Sequence, residues 1–153
     1  MKHIIIVGAG ASGLVAAISA AANGAAVTVL ERNDRPGRKI CATGNGRCNM
    51  TNLQKSADTY RGTHPEFVKD ALEQFSVEDT LEFFRKLGIC TTDRSCWIYP
   101  RSNQAQSVVD VLCMEAASLG VKIKTNEQVT EIKNGINGKN FRILTKGWHY
   151  GAD

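Results

Sequence analysis

The sequence predicts an α/β fold, a parallel sheet covered by helices and followed by a β-meander. Three observations lead there. An unbroken apolar run, Ile4-Ile5-Ile6-Val7, gives way to Gly8-Ala9-Gly10-Ala11-Ser12-Gly13. An Ala-rich stretch follows, and a second apolar run, Val27-Thr28-Val29-Leu30, ends on the acid Glu31. Near the C-terminus three short segments are punctuated by Asn-Gly pairs. Strand, glycine turn, helix, strand and terminal acid is the order of a Rossmann-like βαβ unit.

Each part of that unit has a job around a dinucleotide. Gly8 allows the tight turn out of the strand, Gly10 lets the backbone approach a pyrophosphate, and Gly13 lets the helix pack on the sheet. The helix N-terminus offers free N–H groups and a partial positive charge to phosphates. Glu31 follows Gly8 at about the 20-residue interval expected of an acid that accepts from a ribose 2′-hydroxyl. Lys2, the apolar run and the Ala-rich residues 16–22 loosely imitate a signal peptide, but three glycines break the run.

Residues 3–7 are expected as a buried parallel strand, because the run is apolar without alternation. Residues 11–22 should be a helix that Asn23-Gly24 ends, and 26–30 the second strand. Residues 31–52, with Pro36, three glycines and many polar groups, suit an ordered loop with a short helical turn, and a loop this long is usually functional. Residues 65–75 read as a helix with Phe67, Ala71, Leu72 and Phe75 on one face. Ser76-Val77-Glu78-Asp79 resembles a capping box opening a helix through Leu87, which Gly88 stops.

Residues 89–99 read as extended segments broken at Thr92-Asp93-Arg94-Ser95. Ser102 or Asn103 should cap a helix over 104–118 that turns Val108, Val111, Leu112 and Leu119 inward and ends at Gly120. Val121–Thr125 reads as a third parallel strand. Segments 128–133, 140–145 and 147–150, separated by Asn134-Gly135 and Asn137-Gly138, read as the meander.

At 153 residues the chain is long enough for a domain with a real core, and its 42% hydrophobic content is that of a folded protein. No apolar stretch reaches the ~20 residues needed to span a membrane. Five cysteines (Cys41, Cys48, Cys90, Cys96, Cys113) form no CxxC pair, which points to reduced thiols and a cytoplasmic protein. The net charge is +4, with Arg32, Arg35, Arg38, Lys39 and Arg47 clustered after the second strand. No recognition module accompanies them, so nucleic acid is not an expected partner and neutralisation of a diphosphate is the better reading. His3, His64 and His149 are scattered without metal-ligand spacing, so no metal site is expected. Trp97 and Tyr99 suit either a ligand-lining face or core packing.

The loop Gly37-Arg38-Lys39-Ile40-Cys41-Ala42-Thr43-Gly44-Asn45-Gly46-Arg47-Cys48-Asn49-Met50-Thr51-Asn52 combines small residues, cations and amide or hydroxyl groups. These suit a bound anion beside a polar heterocycle. With the N-terminal glycines, the loop resembles the bacterial flavoproteins described as aminoacetone-oxidase-like or BaiN-like, which are NAD(P)/FAD-dependent oxidoreductases. The segment from Trp97-Ile98-Tyr99-Pro100-Arg101-Ser102 through Ser107-Val108-Val109-Asp110-Val111-Leu112 resembles a later signature of the same family. The resemblance covers most of the chain.

The resemblance implies a Rossmann-like FAD-binding domain and assigns its residues. Gly8, Gly10, Ala11, Ser12 and Gly13 would wrap the FAD pyrophosphate, Glu31 would hold the adenosine ribose, and Arg32 would lie beside adenine. Arg38 and Lys39 would border the phosphates. Thr43, Gly44, Gly46, Arg47, Cys48 and Asn49 would approach the ribityl chain and isoalloxazine, and the backbone of Val129 would meet adenine. A Cys41–Cys48 redox pair is disfavoured, because residues 42–47 make the spacing longer than in disulfide reductases. A packed or flavin-adjacent free thiol is expected at Cys48. No catalytic residue can be named.

By the same resemblance, the chain corresponds to the N-terminal part of a larger enzyme, an incomplete FAD domain with a helical segment at about 53–100. Its remaining strands would lie beside the first strand, leaving Ile4–Val7 an exposed edge that invites self-association or weakens FAD binding. The implied activity is flavin-dependent oxidoreduction with NAD(P)H as electron partner and an undetermined small-molecule substrate. A non-catalytic dinucleotide-binding fragment or interaction module is the alternative. A plain NAD-binding Rossmann domain would leave Thr43–Asn52 unexplained.

Overall fold

The computed structural model describes residues 1–54, 59–135 and 140–153. In chain order, β1 (His3–Val7), α1 (Ala11–Ala22) and β2 (Ala26–Leu30) precede α2 (Arg38–Ala42), a tight turn at Thr43–Gly46 and β3 (Thr51–Asn52). Next come α3 (Phe67–Gln74), α4 (Val77–Lys86), β4 (Thr91–Arg94) and β5 (Trp97–Pro100). They are followed by α5 (Ala105–Ser118), β6 (Lys122–Lys124), β7 (Val129–Asn134), β8 (Phe141–Thr145) and β9 (His149–Ala152). The chain forms two compact units, one from Met1–Ile40 with Val109–Asp153 and the other from Cys41–Val108.

In the first unit β2 lies between β1 and β6, parallel to both, with Ile4 opposite Val27 and Val29 opposite Ile123. Central placement buries Val27, Val29 and Leu30, whereas Val7 on β1 is 52% exposed. The expectation of a buried first strand is therefore corrected, and the exposed edge that the resemblance implies for Ile4–Val7 is what the sheet shows. Ile4–Ile6 are half-buried because β1 is an edge of this sheet. At the start of that edge the Asp153 N–H donates to the His3 carbonyl (3.0 Å), and the Asp153 carboxylate accepts from the His3 N–H (2.7 Å).

Leu14, Ala17 and Ile18 form the buried face of α1. The helix ends where the Asn23 N–H reaches the Ser19 and Ala20 carbonyls and Gly24 turns left-handed at φ +84°. Val109, Leu112 and Ala116 of α5 are buried in the same unit, while Val111 and Leu119, expected inward, are only half-buried. Burying a Leu or Val side chain stabilises by about 1.5–3 kcal/mol, so these few apolar residues hold α1 and α5 in place.

The predicted meander is present, with β8 antiparallel to both β7 and β9. The Gly135 N–H donates to the Asn140 carbonyl at the end of β7, and Asn137-Gly138 lies outside the described residues. β8 and β9 are joined at Lys146-Gly147-Trp148, where the Thr145 N–H donates to the Trp148 carbonyl at 2.9 Å.

In the second unit β5 is central and antiparallel to β3 and β4. The β4–β5 turn falls two residues later than expected. Thr92 and Asp93 pair with Tyr99 and Ile98, and Ser95 and Cys96 make the reversal with φ +53° and +71°. Two successive positive φ values match the twist of a tight hairpin. Ser76 and Asp79 form the predicted capping box at α4, each side chain bonding the other's backbone N–H. The apolar face of α3 is uncovered, with Phe67 83% and Phe75 51% exposed. Among the described residues no helix is long and apolar enough to cross a membrane.

Candidate dinucleotide-binding site

At the C-terminal ends of β1 and β2 a cavity of about 380 Å³ opens in the first unit. Its wall comes from four stretches: Val7–Gly10, Leu30–Asn33, Arg38–Lys39 and Glu127–Val129. The crevice outside the carboxyl ends of parallel strands is where ligands of doubly wound sheets bind. Seven of the residues singled out in the sequence meet here: Gly8, Gly10, Glu31, Arg32, Arg38, Lys39 and Val129.

The glycines split into two roles. Among the described residues, none beyond the chain neighbours lies within 4 Å of where a Cβ on Gly8 or Gly10 would stand, so the backbone at both is open to a ligand. Gly8 also has φ +97°, which disfavours other residues. Gly13 instead faces inward, and its Cβ would fall on the carbonyl oxygen of Gly8. Ala11 and Ser12 are exposed on the first turn of α1. That turn has no acidic residue and Gly10 supplies no side-chain cap, which leaves the positive end of the helix available to an anion.

Glu31 is 6% exposed at the tip of β2, and both of its carboxylate oxygens accept hydrogen bonds. Its Oε2 accepts from the Ala9 N–H at 2.7 Å, and its Oε1 accepts from the Asn33 N–H at 2.8 Å and the Asn33 side-chain amide at 2.5 Å. Burial by itself would raise the Glu31 pKa. The Asn33 and Ala9 N–H groups, the Asn33 amide and the Arg32 charge outweigh it, and the carboxyl is held below the usual glutamate range. Glu31 is thus an ionised acceptor at neutral pH.

Arg38 donates to the Asn33 Oδ1 at 3.1 Å, and Arg32, Arg38 and Lys39 are otherwise exposed cations. The chain after β6 runs beside the Glu31 strap: Asn126 and Glu127 donate backbone N–H groups to the carbonyls of Asn33 (2.9 Å) and Glu31 (2.8 Å). This pairing carries Glu127, Gln128 and Val129 to the cavity. The register of β7 against β8 slips between Val129 and Glu131, so Val129 sits at a bulge. Glu127 takes a hydrogen bond from Tyr150, whose pKa is raised by burial first and then by that bond and the Glu127 charge.

Thr43, Gly44, Gly46, Arg47, Cys48 and Asn49 lie in the second unit. Their backbone is unusual: Gly44, Asn45, Gly46 and Cys48 all have φ between +53° and +80°. A Cβ on Gly44 would press on the Asn49 N–H and the Tyr99 ring. The Arg47 Nε donates to the Gly44 carbonyl at 3.2 Å, and its guanidinium lies 5.6 Å from the Tyr99 ring centre, a ring that Arg94 also approaches at 5.9 Å. Arg47 and Tyr99 therefore brace the loop from within.

Asn49 Oδ1 is buried and has no hydrogen-bond partner among the described residues. A buried acceptor without a donor is rare, and an ordered water or a donor from a ligand would satisfy it. Cys48 is buried and its thiol is pushed up, by burial first, while it bonds to Thr43. Cys41 donates to Gln106 Oε1 at 3.4 Å, and both cysteines are free. A protonated, packed thiol is what the Cys48 environment favours.

Asn33, Glu127 and Gln128 were missed. Asn33 carried a readable signal, since an Asx residue shortly after an acid can bond it locally. Glu127 and Gln128 carried none, because only long-range pairing brings them here.

Residues 2–150 match the family described as the HI0933-like protein Rossmann domain. The chain belongs to that family. It is 47% identical over its whole length to the 3-dehydro-bile acid delta(4,6)-reductase of Clostridium scindens, and 32% identical over 97% of its length to the ribosomal RNA dihydrouridine synthase of Escherichia coli. The chain spans 37% of the length of each. Among solved structures it resembles the 3-ketosteroid-delta4-(5alpha)-dehydrogenase of Rhodococcus jostii RHA1 (TM-score 0.70, 16% identity, 98% of this chain and 44% of that one). CtdE in complex with FAD is also similar (TM-score 0.55, 23% identity, 100% of this chain and 37% of that one). At these identities the likeness establishes a shared fold, the Rossmann-like arrangement the sequence predicts.

Proposed function

We propose that this chain is the FAD-binding segment of a flavin-dependent oxidoreductase. The observation that carries this reading is the cavity in which the open backbone of Gly8 and Gly10, the free end of α1 and the ionised Glu31 face one space. Those are the three contacts that a pyrophosphate next to a ribose requires. Arg38 and Lys39 at the rim supply counter-charge. The Asn49 Oδ1, without a partner among the described residues, and the left-handed backbone of Gly44, Asn45, Gly46 and Cys48 fit the contribution the family resemblance gives to the flavin side.

FAD, when bound, supplies hydride and electron transfer at its isoalloxazine ring. The chain's own residues bind and orient it. Ala11 and Ser12 present helix N–H groups to phosphate, Glu31 accepts from ribose, and the backbone of Val129 lines the adenine end. NAD(P)H is the proposed electron partner. A small molecule is the proposed substrate, supported by the higher identity to a relative named for a bile acid than to one named for ribosomal RNA.

Reconstitution tests the reading. Purified protein incubated with FAD and passed through a desalting column should keep the flavin's visible absorption band, and Glu31→Ala should lose it. Retention of NAD but not FAD would overturn the assignment. With FAD retained, anaerobic bleaching of the band by NADH or NADPH tests the nicotinamide partner. Retention without bleaching by any reductant would favour a non-catalytic binding module. Assays with 3-dehydro-bile acid and with ribosomal RNA as acceptors then separate the substrate classes.

A further inference from the structure

Among the described residues of the first unit, Asn33 makes four polar contacts. Its backbone N–H and its side-chain amide both donate to Glu31 Oε1, at 2.8 and 2.5 Å. Its Oδ1 accepts from the Arg38 guanidinium at 3.1 Å, and its carbonyl accepts from the Asn126 N–H at 2.9 Å. Glu31, Asn33 and Arg38 all line the same cavity.

Each oxygen of an ionised carboxylate offers two acceptor directions. Asn33 fills both on Oε1, and the Ala9 N–H fills one on Oε2 at 2.7 Å. Among the described residues, one acceptor direction is left, on Oε2. A carboxylate fixed by three donors cannot rotate without losing them, so the remaining direction is set before any ligand arrives. Such preorganisation lowers the ordering cost of binding. Arg38 is tethered by one of its five N–H donors and keeps the others for an anion.

We propose that Asn33 is a positioning residue for ribose recognition. It holds Glu31 so that a single acceptor on Oε2 meets one hydroxyl, the 2′-hydroxyl, of an adenine nucleotide, and it ties that carboxylate to the arginine that meets the diphosphate. The proposal deepens the FAD reading and rests on it. Asparagine suits the task because it donates to a carboxylate through one end of its amide and accepts from a guanidinium through the other. Aspartate keeps the acceptor, loses the donor and sets a second negative charge against Oε1.

Calorimetric titration with ADP and with 2′-deoxy-ADP tests this on the 153-residue chain, its variants Asn33→Ala, Asn33→Asp and Arg38→Ala, and the double variants. Wild type should prefer ADP by about 10-fold, the worth of one charge-assisted hydrogen bond. Asn33→Ala should weaken ADP binding by about 10-fold and bring the preference close to unity. In that background Arg38→Ala should cost less than it does in wild type, whereas in the Asn33→Asp background, which keeps the tether, it should cost as much as in wild type. A residue with only a structural role would change the melting temperature without changing the preference. If Asn33→Ala fails to fold by circular dichroism, Asn33→Asp carries the test, since it keeps the backbone bond and the Arg38 tether. An unchanged preference for ADP in the folded variants overturns the proposal. Absence of ADP binding by wild type overturns the FAD reading itself, and the two failures are distinct.

Discussion

The carbonyl oxygen of Gly8 occupies the space that a Cβ on Gly13 would need, while a Cβ on Gly10, between them, would meet no other described residue beyond its chain neighbours within 4 Å. The glycines of one motif therefore serve different ends. Gly13→Ala forces α1 away from the β1 turn and should destabilise the protein by about 3 kcal/mol, the upper range for overpacking. Gly10→Ala, at φ −82°, should leave stability within about 0.5 kcal/mol while weakening ADP binding at least 10-fold. Urea denaturation and nucleotide titration of both variants check this. Equal effects on folding would refute the division.

A second close approach holds the strap after β2. Gly37 has φ +70°, its N–H donates to the Ala9 carbonyl at 2.8 Å, and its Cβ would lie 2.5 Å from a methyl of the buried Val109. Gly37→Ala should cost about 1–3 kcal/mol from overpacking in addition to strain. Adding Val109→Ala should recover part of that loss, giving a non-additive double-mutant cycle. Strict additivity in chemical denaturation would show that the two residues do not touch.

The Glu31 carboxyl is held below its ordinary range, which makes its contribution pH-dependent. A group whose folded pKa is depressed binds fewer protons folded than unfolded, so its stabilisation is complete above the unfolded value of about 4.3 and is lost as pH falls through the folded value. The stability gap between wild type and Glu31→Gln should thus be constant near neutrality and shrink in acid. Denaturation midpoints measured down the acid range test the sign. A gap that widens in acid would contradict it.

The hairpin turn offers a stabilising change. Ser95 and Cys96 both sit in left-handed conformations, each costing a non-glycine residue about 1–2 kcal/mol. Asparagine and glycine are the residues this turn prefers. Ser95→Asn with Cys96→Gly should raise the melting temperature by about 2–4 °C, the shift expected for roughly 1 kcal/mol in a chain of this size. Calorimetry decides. A lower midpoint would mean that the Cys96 side chain contributes packing worth more than the backbone strain.

We propose that the isolated chain self-associates through β1, whose Val7 is half exposed at the sheet edge. Edge strands of this apolar character template pairing with another chain, and a charge on the edge blocks it. Sedimentation should show concentration-dependent association that Val7→Lys suppresses. A monomer at all concentrations would remove the idea.

Elements written in local chemistry were legible. The bounds of β1, α1 and β2 followed from two apolar runs and the glycines between them, because φ > 0 at Gly8 and Gly24 is a property of single residues. The capping box at Ser76 and Asp79 is equally local, set by two side chains within one turn of backbone. The β4–β5 turn was misplaced because polar residues at 92–94 suit a turn as well as an exposed strand, and pairing of Ile98 with Asp93 decided between them.

For the cavity, residue type alone indicated that glycines, an acid and cations surround a dinucleotide, since phosphate and ribose demand those groups. Two things needed the tertiary structure: that Asn33 holds Glu31, and that Glu127 and Gln128 line the same space. Each depends on which distant segments pair. A backbone N–H at Asn126 reaches Asn33 only after β6 has docked beside β2, and no periodicity within either segment encodes that meeting.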